Sequence, residues 1–309
     1  MQTIHYTIII PHRNIPTLLR RCIASIPIRN DLQIIVVDDC TDKYFANDYR
    51  NVQEEFPSVE FIETDKQRGG GAARNLGLER AKGEYILFAD ADDFFYPCLN
   101  EILSDYKNSD WDIIFFNVNS VNAETLLPSK RGTHVNKMFR LAQRNLPKAE
   151  FLLKYEFGEP WCKMISHKLI KKENIHFEET KIHNDTRFSY LVGFYSQKIK
   201  LDARILYCNT ERPQSVSTII SDERILLRAR IFSEKIVFLR KHGVQYFDIL
   251  LLRAFFHCQK HHRQDLFKRC GQIASAAGIS QFEICFRLAV YRFKLHLFNL
   301  KNRIKVHRK

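Results

Sequence analysis

No stretch of about 18 uncharged apolar residues occurs in the 309-residue chain, so no membrane-spanning helix is expected. Paired cysteines are lacking too. The eight cysteines fall at positions 22, 40, 98, 162, 208, 258, 270 and 285, with no CxxC pair and no even framework. That scatter argues against a disulfide scaffold and suits a reducing compartment, where cysteine serves as a small buried hydrophobe. Met1 to Tyr6 is polar and leads straight into a strand-like run, without the apolar core of a secretory signal. A cytoplasmic protein, soluble or peripheral on the inner face of the membrane, is therefore expected. Acidic residues are scarce in one stretch only. Residues 220–309 hold 19 Lys and Arg against 6 Asp and Glu, whereas residues 1–219 hold 29 of each. The whole net charge of +13 thus sits in the second part, and two parts with different electrostatic roles are implied. That second part also has just three glycines and no proline, so it reads as helices alone.

What is present is a core-forming composition, with 45% apolar and 27% charged residues, ordinary for a globular protein. Thr7–Ile10, Ile34–Val37, Val59–Ile62, Tyr85–Phe88 and Ile113–Phe116 are β-branched or aromatic runs bounded by turn residues, the pattern of buried strands. Leu18, Leu19, Cys22, Ile23 and Ile26 keep a helical spacing between the first two runs. Ala72, Ala73, Leu76 and Ala81 keep another ahead of Gly83, which reads as a helix C′ residue. This alternation predicts an α/β fold, a Rossmann-like, mostly parallel sheet with helices on both faces. Residues 120–150 read as a variable insert, and strands and helices mix from Phe151 to Ser217. The expected division is an α/β domain over residues 1–219 and a basic, all-helical region over 220–309.

In such sheets the ligand crevice lies beyond the carboxyl ends of the strands, which directs attention to the polar residues after each run. Phe88-Ala89-Asp90-Ala91-Asp92-Asp93 crowds three carboxylates at the end of a buried strand. Like charges there are costly unless something positive binds them. A hard divalent cation, Mn²⁺ or Mg²⁺, prefers such oxygen ligands and is typically shared with substrate phosphates. An isolated DxD would read as a solvated acidic turn; the strand-end position favours a metal. Asp38-Asp39 follows the second run, where an acid accepts hydrogen bonds from ribose hydroxyls or a base N–H, or else caps the next helix. In Arg68-Gly69-Gly70-Gly71-Ala72-Ala73-Arg74-Asn75, glycines ahead of a helix let backbone approach a ligand at an anion-favouring N-terminus. The segment is not GxGxxG, because Arg74 stands where the third glycine would be, and no GK[ST] follows. His257-Cys258-Gln259-Lys260-His261-His262, with Cys270 beyond, matches no common zinc spacing and reads as a solvated helix face with one buried cysteine.

Together these segments resemble the inverting family 2 glycosyltransferases with the GT-A fold. Thr7 to Asn14 is similar to that family's opening strand and P-x-x-N turn. Ile35 to Asp42 is similar to its VDDGSxD segment, with Cys40 and Thr41 in place of Gly-Ser. Gly71 to Leu78 is similar to its ARNxGL helix start, and Tyr85 to Asp93 to its metal motif. Further along, Trp161-Cys162-Lys163 resembles a W-x-K segment that precedes the catalytic base. His183-Asn184-Asp185-Thr186-Arg187-Phe188 resembles the ED-x-x-F element, with Asn184 in place of Glu. Glu211 to Ser217 resembles the R-x-x-S-x-S strand end.

The resemblance implies a catalytic domain over residues 1–219 that moves a sugar from a nucleotide-diphosphate donor, a UDP-sugar. Pro11, Arg13, Asp39, Arg74 and Asp90 would bind the nucleotide, Asp39 on the base. Asp92, with Asp90 and Asp93, would hold the divalent cation. Asp185 would be the catalytic base, and Trp161, Lys163, Arg212 and Ser215 would contact donor or acceptor. The acceptor implied by family analogy is a glycan or lipid-linked molecule of bacterial cell-surface polysaccharide synthesis. A nucleotidyltransferase would carry its glycine loop directly after the first strand, where Pro11-His12-Arg13-Asn14 stands. A nucleic-acid-binding protein would explain the basic region and leave three strand-end carboxylate sites unexplained, so no nucleic acid is expected as partner. A sugar-nucleotide-binding relative without transferase activity remains as an alternative. In the tail, Ile284, Leu288, Tyr291, Leu295 and Phe298 form one apolar stripe, with Phe286, Val290, Phe293, Leu297 and Leu300 beside it. Such a basic amphipathic helix either lies on an anionic membrane or packs on the catalytic domain.

Overall fold

The computed structural model describes residues 3–212 and 221–306, with side chains described as far as Leu297. The chain divides into two compact units, Met1–Ser215 and Val216–Lys309. The first begins with β1 (Tyr6–His12), α1 (Pro16–Ala24), β2 (Leu32–Asp38), α2 (Ala46–Glu55), β3 (Glu60–Glu63), α3 (Gly70–Arg80) and β4 (Tyr85–Phe88). It continues with β5 (Phe94–Phe95), α4 (Leu99–Asp105), β6 (Ile113–Asn122), α5 (Thr133–Ala142), α6 (Leu146–Tyr155), β7 (Lys163–Ser166), α7 (His167–Lys172), α8 (Thr186–Tyr195) and β8 (Ile199–Glu211). The stretch 120–150 therefore carries a strand end and regular helix.

These strands form one eight-stranded sheet in the order β3-β2-β1-β4-β7-β6-β8-β5. β3, β2, β1 and β4 are parallel, β6 and β8 are parallel, and β7 and β5 run antiparallel to their neighbours. Ile8, Ile9 and Ile10 of β1 are wholly buried, as expected of a central strand covered on both faces. On β2, Val36 enters the main core while Ile35 and Val37 meet Ala73 of α3 on the opposite face.

Gly83 is not a helix terminator. α3 ends at Arg80, and Ala81 is already extended at φ −65° and ψ 133°. A Cβ at Gly83 would lie 2.5 Å from the backbone nitrogen of Thr7, and the Gly83 N–H donates to Thr7 Oγ1 at 2.9 Å. Glycine is required there because the connection crosses directly against β1.

In the second unit, α9 (Asp222–Lys241), α10 (Ile249–Lys260), α11 (Gln264–Ala277) and α12 (Gln281–Val306) are the described elements, all helical as read from the sequence. Ser221 and Asp248 cap α9 and α10 with side-chain acceptors, and Gly278 at φ 106° closes α11. Cys258 and Cys270 are buried in this core. α12 buries Ile284 and Leu288, and its Tyr291 ring meets Phe256 of α10 at 5.6 Å. Ile284, Leu288 and Tyr291 of the first apolar stripe thus pack within their own unit. No helix among the described residues is long and apolar enough to cross a membrane.

Candidate active site

β1 lies between β2 and β4, so the chain order reverses beside it, the place where such sheets carry their ligand crevice beyond the carboxyl ends of the strands. The turn after β1 is built inward. His12 is buried, with Nδ1 2.8 Å from Asp38 Oδ1, and its Nε2 accepts the Ile15 N–H at 3.2 Å. Both ring nitrogens are therefore engaged within the turn. Thr41 donates its backbone N–H and its hydroxyl to Asp38. Burial pushes the Asp38 carboxyl up, but the bonds from His12 and Thr41 outweigh it and hold it below the usual carboxylate range.

Asp39 faces the glycine run. Its two oxygens accept the backbone N–H groups of Arg68 and Gly69, each at 2.8 Å, so the carboxylate fixes the start of α3. Arg13 donates to the Cys40 carbonyl at 3.4 Å and to Asp42 at 3.3 Å, tying the β1 turn to the β2 turn. Pro11 stands half-buried at the end of β1, in register with Val37.

The acidic loop follows β4 and is locked by β8. β5 pairs antiparallel with β8, Phe94 opposite Cys208 and Phe95 opposite Tyr207. Asp93, 1% exposed, accepts from Asn209 Nδ2 at 2.9 Å and from the Thr210 N–H at 2.6 Å. The Asp90 N–H donates to the Tyr207 hydroxyl at 2.8 Å. Asp92 Oδ2 accepts from Arg212 Nε and Nη2, both at 2.8 Å, and Asp90 Oδ1 accepts from Arg74 Nη2 at 2.6 Å. One ligand atom from each of Asp90, Asp92 and Asp93 lies within 4.8 Å of the others. Two arginines do not compensate three carboxylates. Burial and the neighbouring Asp90 raise the Asp92 carboxyl, with Arg212 opposing, and burial with both neighbours lifts Asp93 well above its ordinary range.

This all-oxygen, under-compensated set fits a hard divalent cation. Asp90 and Asp92 are its half-buried members, while Asp93 is enclosed and bonded to β8. Among the described residues no other His, Cys, Asp and Glu grouping has such spacing; of the His257–His262 segment, His257 to Lys260 close α10 and His261 and His262 lie beyond its end.

The second half of the site comes from the segment before α8. Arg74, 7% exposed, reaches from Asp90 to Asn184 Oδ1 at 3.2 Å and covers the Phe177 ring. Asn184, the departure from the family's Glu, thus meets Arg74 as a neutral acceptor. Asp185 follows at the start of α8, half-buried. Burial pushes its carboxyl up to about 6, Glu159 and Asp90 add to the rise, and Arg74 opposes it. The same segment is pressed onto the glycine run. A Cβ at Gly71 would lie 2.1 Å from the Glu178 carbonyl oxygen, and Arg68 pairs with Glu179 at 2.8 Å. Gly71→Ala is expected to cost about 1–3 kcal/mol through overpacking, read as a lowered Tm; an unchanged melt would show that the 178–184 segment yields freely.

Trp161 and Lys163, expected beside donor or acceptor, are both buried. Trp161 is 4% exposed and stacks on Tyr207 with centroids 5.7 Å apart. Lys163 is 2% exposed and donates to the Phe157 carbonyl at 2.6 Å beneath the Phe157 ring. Both side chains are packed in the core of the first unit. Ser215 lies outside the described residues. The sequence reading missed Tyr207, Asn209 and Thr210, although polar residues at the end of a buried strand were the available signal.

The family model described as glycosyl transferase family 2 matches residues 7–173, ending before Asp185 and Arg212. A cholesterol galactosyltransferase from Borreliella burgdorferi is 25% identical, over 90% of this chain and 87% of that protein. Among solved structures, S. aureus TarS 1–349 in complex with UDP-GlcNAc superposes with a TM-score of 0.61 at 17% identity, covering 94% of this chain and 92% of that one. A mannosyltransferase from Pyrobaculum calidifontis in complex with GDP-Man and Mn²⁺ gives 0.52 at 13% identity, covering 96% and 81%. With more than half its length matched by the family model and the GT-A fold around the matched motifs, the chain belongs to glycosyl transferase family 2.

Proposed function

We propose that the chain is an inverting, metal-dependent glycosyltransferase that moves a hexosyl or N-acetylhexosaminyl group from a UDP-sugar to a glycan or lipid-linked acceptor in bacterial cell-surface polysaccharide synthesis. The observation that carries this reading is the bridge made by Arg74, between Asp90 of the acidic loop and Asn184 beside Asp185. One buried guanidinium keeps a phosphate-side carboxylate and a proton-accepting carboxylate at the same crevice. Support also comes from the relatives, one solved with UDP-GlcNAc, one with GDP-Man and Mn²⁺, and one named for galactosyl transfer to cholesterol.

In this reading Pro11, Arg13 and the glycine run held by Asp39 seat the nucleoside. Asp92 and Asp90 would hold Mn²⁺ or Mg²⁺, and Asp93 steadies their loop from β8. The bound cation supplies Lewis-acid neutralisation of the charge that develops on the departing UDP. Arg212, beside Asp92, adds a fixed positive charge where that diphosphate leaves. Asp185 takes the acceptor hydroxyl proton onto a carboxylate oxygen as the acceptor oxygen attacks the anomeric carbon from the opposite face. A base pushed up to about 6 is ionised at pH 7 and still basic enough for that transfer. One displacement inverts the anomeric centre, and no covalent sugar–enzyme intermediate is needed. The basic second unit is assigned to an anionic membrane surface on the cytoplasmic side, where lipid-linked acceptors lie.

A thermal-shift series with UDP, GDP and TDP, each with and without Mn²⁺, tests the reading. Stabilisation by UDP that requires the metal is expected, about 2.7 kcal/mol at a ligand concentration 100 times Kd. Stabilisation by an oligonucleotide and by none of the nucleotides would overturn it. UDP binding with no turnover of any donor would leave a sugar-nucleotide-binding protein.

A further inference from the structure

α12 carries two apolar faces, and the fold uses one of them. At about 100° per residue, Ile284, Leu288 and Tyr291 gather on the side that packs inward. Phe282, Phe286, Val290, Phe293 and Leu297 gather within an arc of about 80° on a different side. That second arc is open, with Phe282 82% exposed, Phe286 61%, Phe293 63% and Leu297 43%. A single exposed leucine needs no explanation, but five large apolar side chains aligned over four turns do.

The arc continues onto the neighbouring segment. Phe247 and Ile249 line, with Phe286 and Val290, a groove of about 250 Å³ edged by Arg287 and Lys294. On the helix projection Arg287 and Lys294 border one side of the arc and Arg292 the other. Arg287 lies over the Phe247 ring at 4.2 Å while bonding Glu283, so it packs with its apolar neighbours and still offers a cation at the edge.

Charge selects the occupant. A second copy would set a basic border against a basic border, in a part of the chain with 19 Lys and Arg and 6 acids, and like-charge juxtaposition of that kind is unfavourable. An anionic bilayer takes the apolar arc into its headgroup–acyl boundary and meets both borders with phosphate.

We infer that the outward face of α12, with Phe247 and Ile249 beside it, is a membrane-surface site on which the helix lies in the plane of an anionic bilayer. This gives the membrane attachment proposed above a defined face. It rests on that reading for its purpose alone, since none of these residues belongs to the transferase site.

Flotation of the full-length chain with phosphatidylglycerol/phosphatidylcholine vesicles, against phosphatidylcholine alone, is the test. Binding to the anionic vesicles is expected to be at least tenfold tighter and to weaken as salt rises, because the attraction is screened within about 8 Å at physiological ionic strength. Phe286→Ser/Phe293→Ser and Arg292→Glu/Lys294→Glu should each lose at least tenfold, with melting curves and the UDP–Mn²⁺ response unchanged. The indole introduced by Phe293→Trp should show a blue-shifted emission on anionic vesicles. Unchanged flotation of the Phe286→Ser/Phe293→Ser variant, or an emission from the Phe293→Trp variant that anionic vesicles do not move, overturns the inference. A solution dimer that the serine pair dissolves would also overturn it and give the face to a second copy. Vesicle binding without any UDP response would sink the transferase reading and leave this one standing.

Discussion

Asp92→Asn is expected to remove the metal-dependent part of UDP binding and to lower sugar transfer by two orders of magnitude or more. Asn keeps the size of the side chain and removes one carboxylate of the acidic triad. Lewis-acid stabilisation of a developing phosphate charge is worth several kcal/mol, and each 1.36 kcal/mol is about tenfold in rate. The fold should not suffer. The Asp92 carboxyl sits near Asp90 and Asp93 with its ionised form already disfavoured by burial and by Asp90, so neutralising it relieves like-charge repulsion. The bonds lost to Arg212 oppose that gain, but the Arg212 side chain is 36% exposed and its guanidinium is left in reach of solvent. A melt at or above the parental temperature, no Mn²⁺-dependent UDP shift and a transfer rate down by at least 10²-fold is the expected combination. Parental turnover of donor in Mn²⁺ would remove Asp92 from the metal site.

The parts of this site that can be read in advance share one property: they lie within a few residues of an apolar run. β1, β2 and β4 carry buried, mostly apolar runs, so each announces itself and carries its strand-end acids with it, whereas β3 is a half-exposed edge strand of two glutamates around Phe61 and Ile62. Asp38, Asp39 and the triad Asp90, Asp92 and Asp93 are legible in that way. What each acid does is not, because the partners are remote in sequence. Asp93 is held by Asn209 and Thr210, more than a hundred residues away, through a β5–β8 pairing just two residues long on the β5 side. Asp39 reads as a nucleoside contact, yet its oxygens hold the backbone of Arg68 and Gly69.

Burial is the other blind spot. Trp161 and Lys163 occupy a segment similar to a family motif, and motif similarity says where residues stand without saying which way they point. Lys163 in particular reads as a donor or acceptor contact, and only the fold shows its ammonium held by the Phe157 carbonyl and the Phe157 ring. Gly83 misleads for the opposite reason. Its position three residues beyond a helix invites a local explanation, whereas the constraint is a backbone crossing at Thr7. On α12 the sequence shows two apolar stripes without showing what either one meets, because the partner of the inner stripe, α10, is a separate helix. Ile284 and Leu288 pack, and Phe286 and Phe293 do not.

Asp185→Asn should separate chemistry from binding. Donor and metal affinity are expected to survive, because Asp90, Asp92 and Arg212 are untouched, while transfer to acceptor falls by about 10²-fold or more through loss of the proton acceptor. The parent should show an acid limb in transfer rate near pH 6, where Asp185 gives up its proton in the unliganded protein. Below that pH the carboxyl is protonated and cannot act as a base; above it the rate should level off. The same raised value makes a stability statement. A carboxyl whose folded pKa lies above its unfolded value binds more protons in the folded state, so stability falls as pH rises from about 4 to about 6 and stays reduced above that window. Replacing Asp185 by Asn removes the penalty, so the variant should melt at or above the parent at pH 8, with the difference shrinking toward pH 4. A merely structural carboxylate would behave in the opposite way, losing stability along with activity. Equal losses of UDP affinity and turnover would place Asp185 on the donor side. A lower melting temperature at pH 8 would show that the charged form is held by the fold rather than opposed by it.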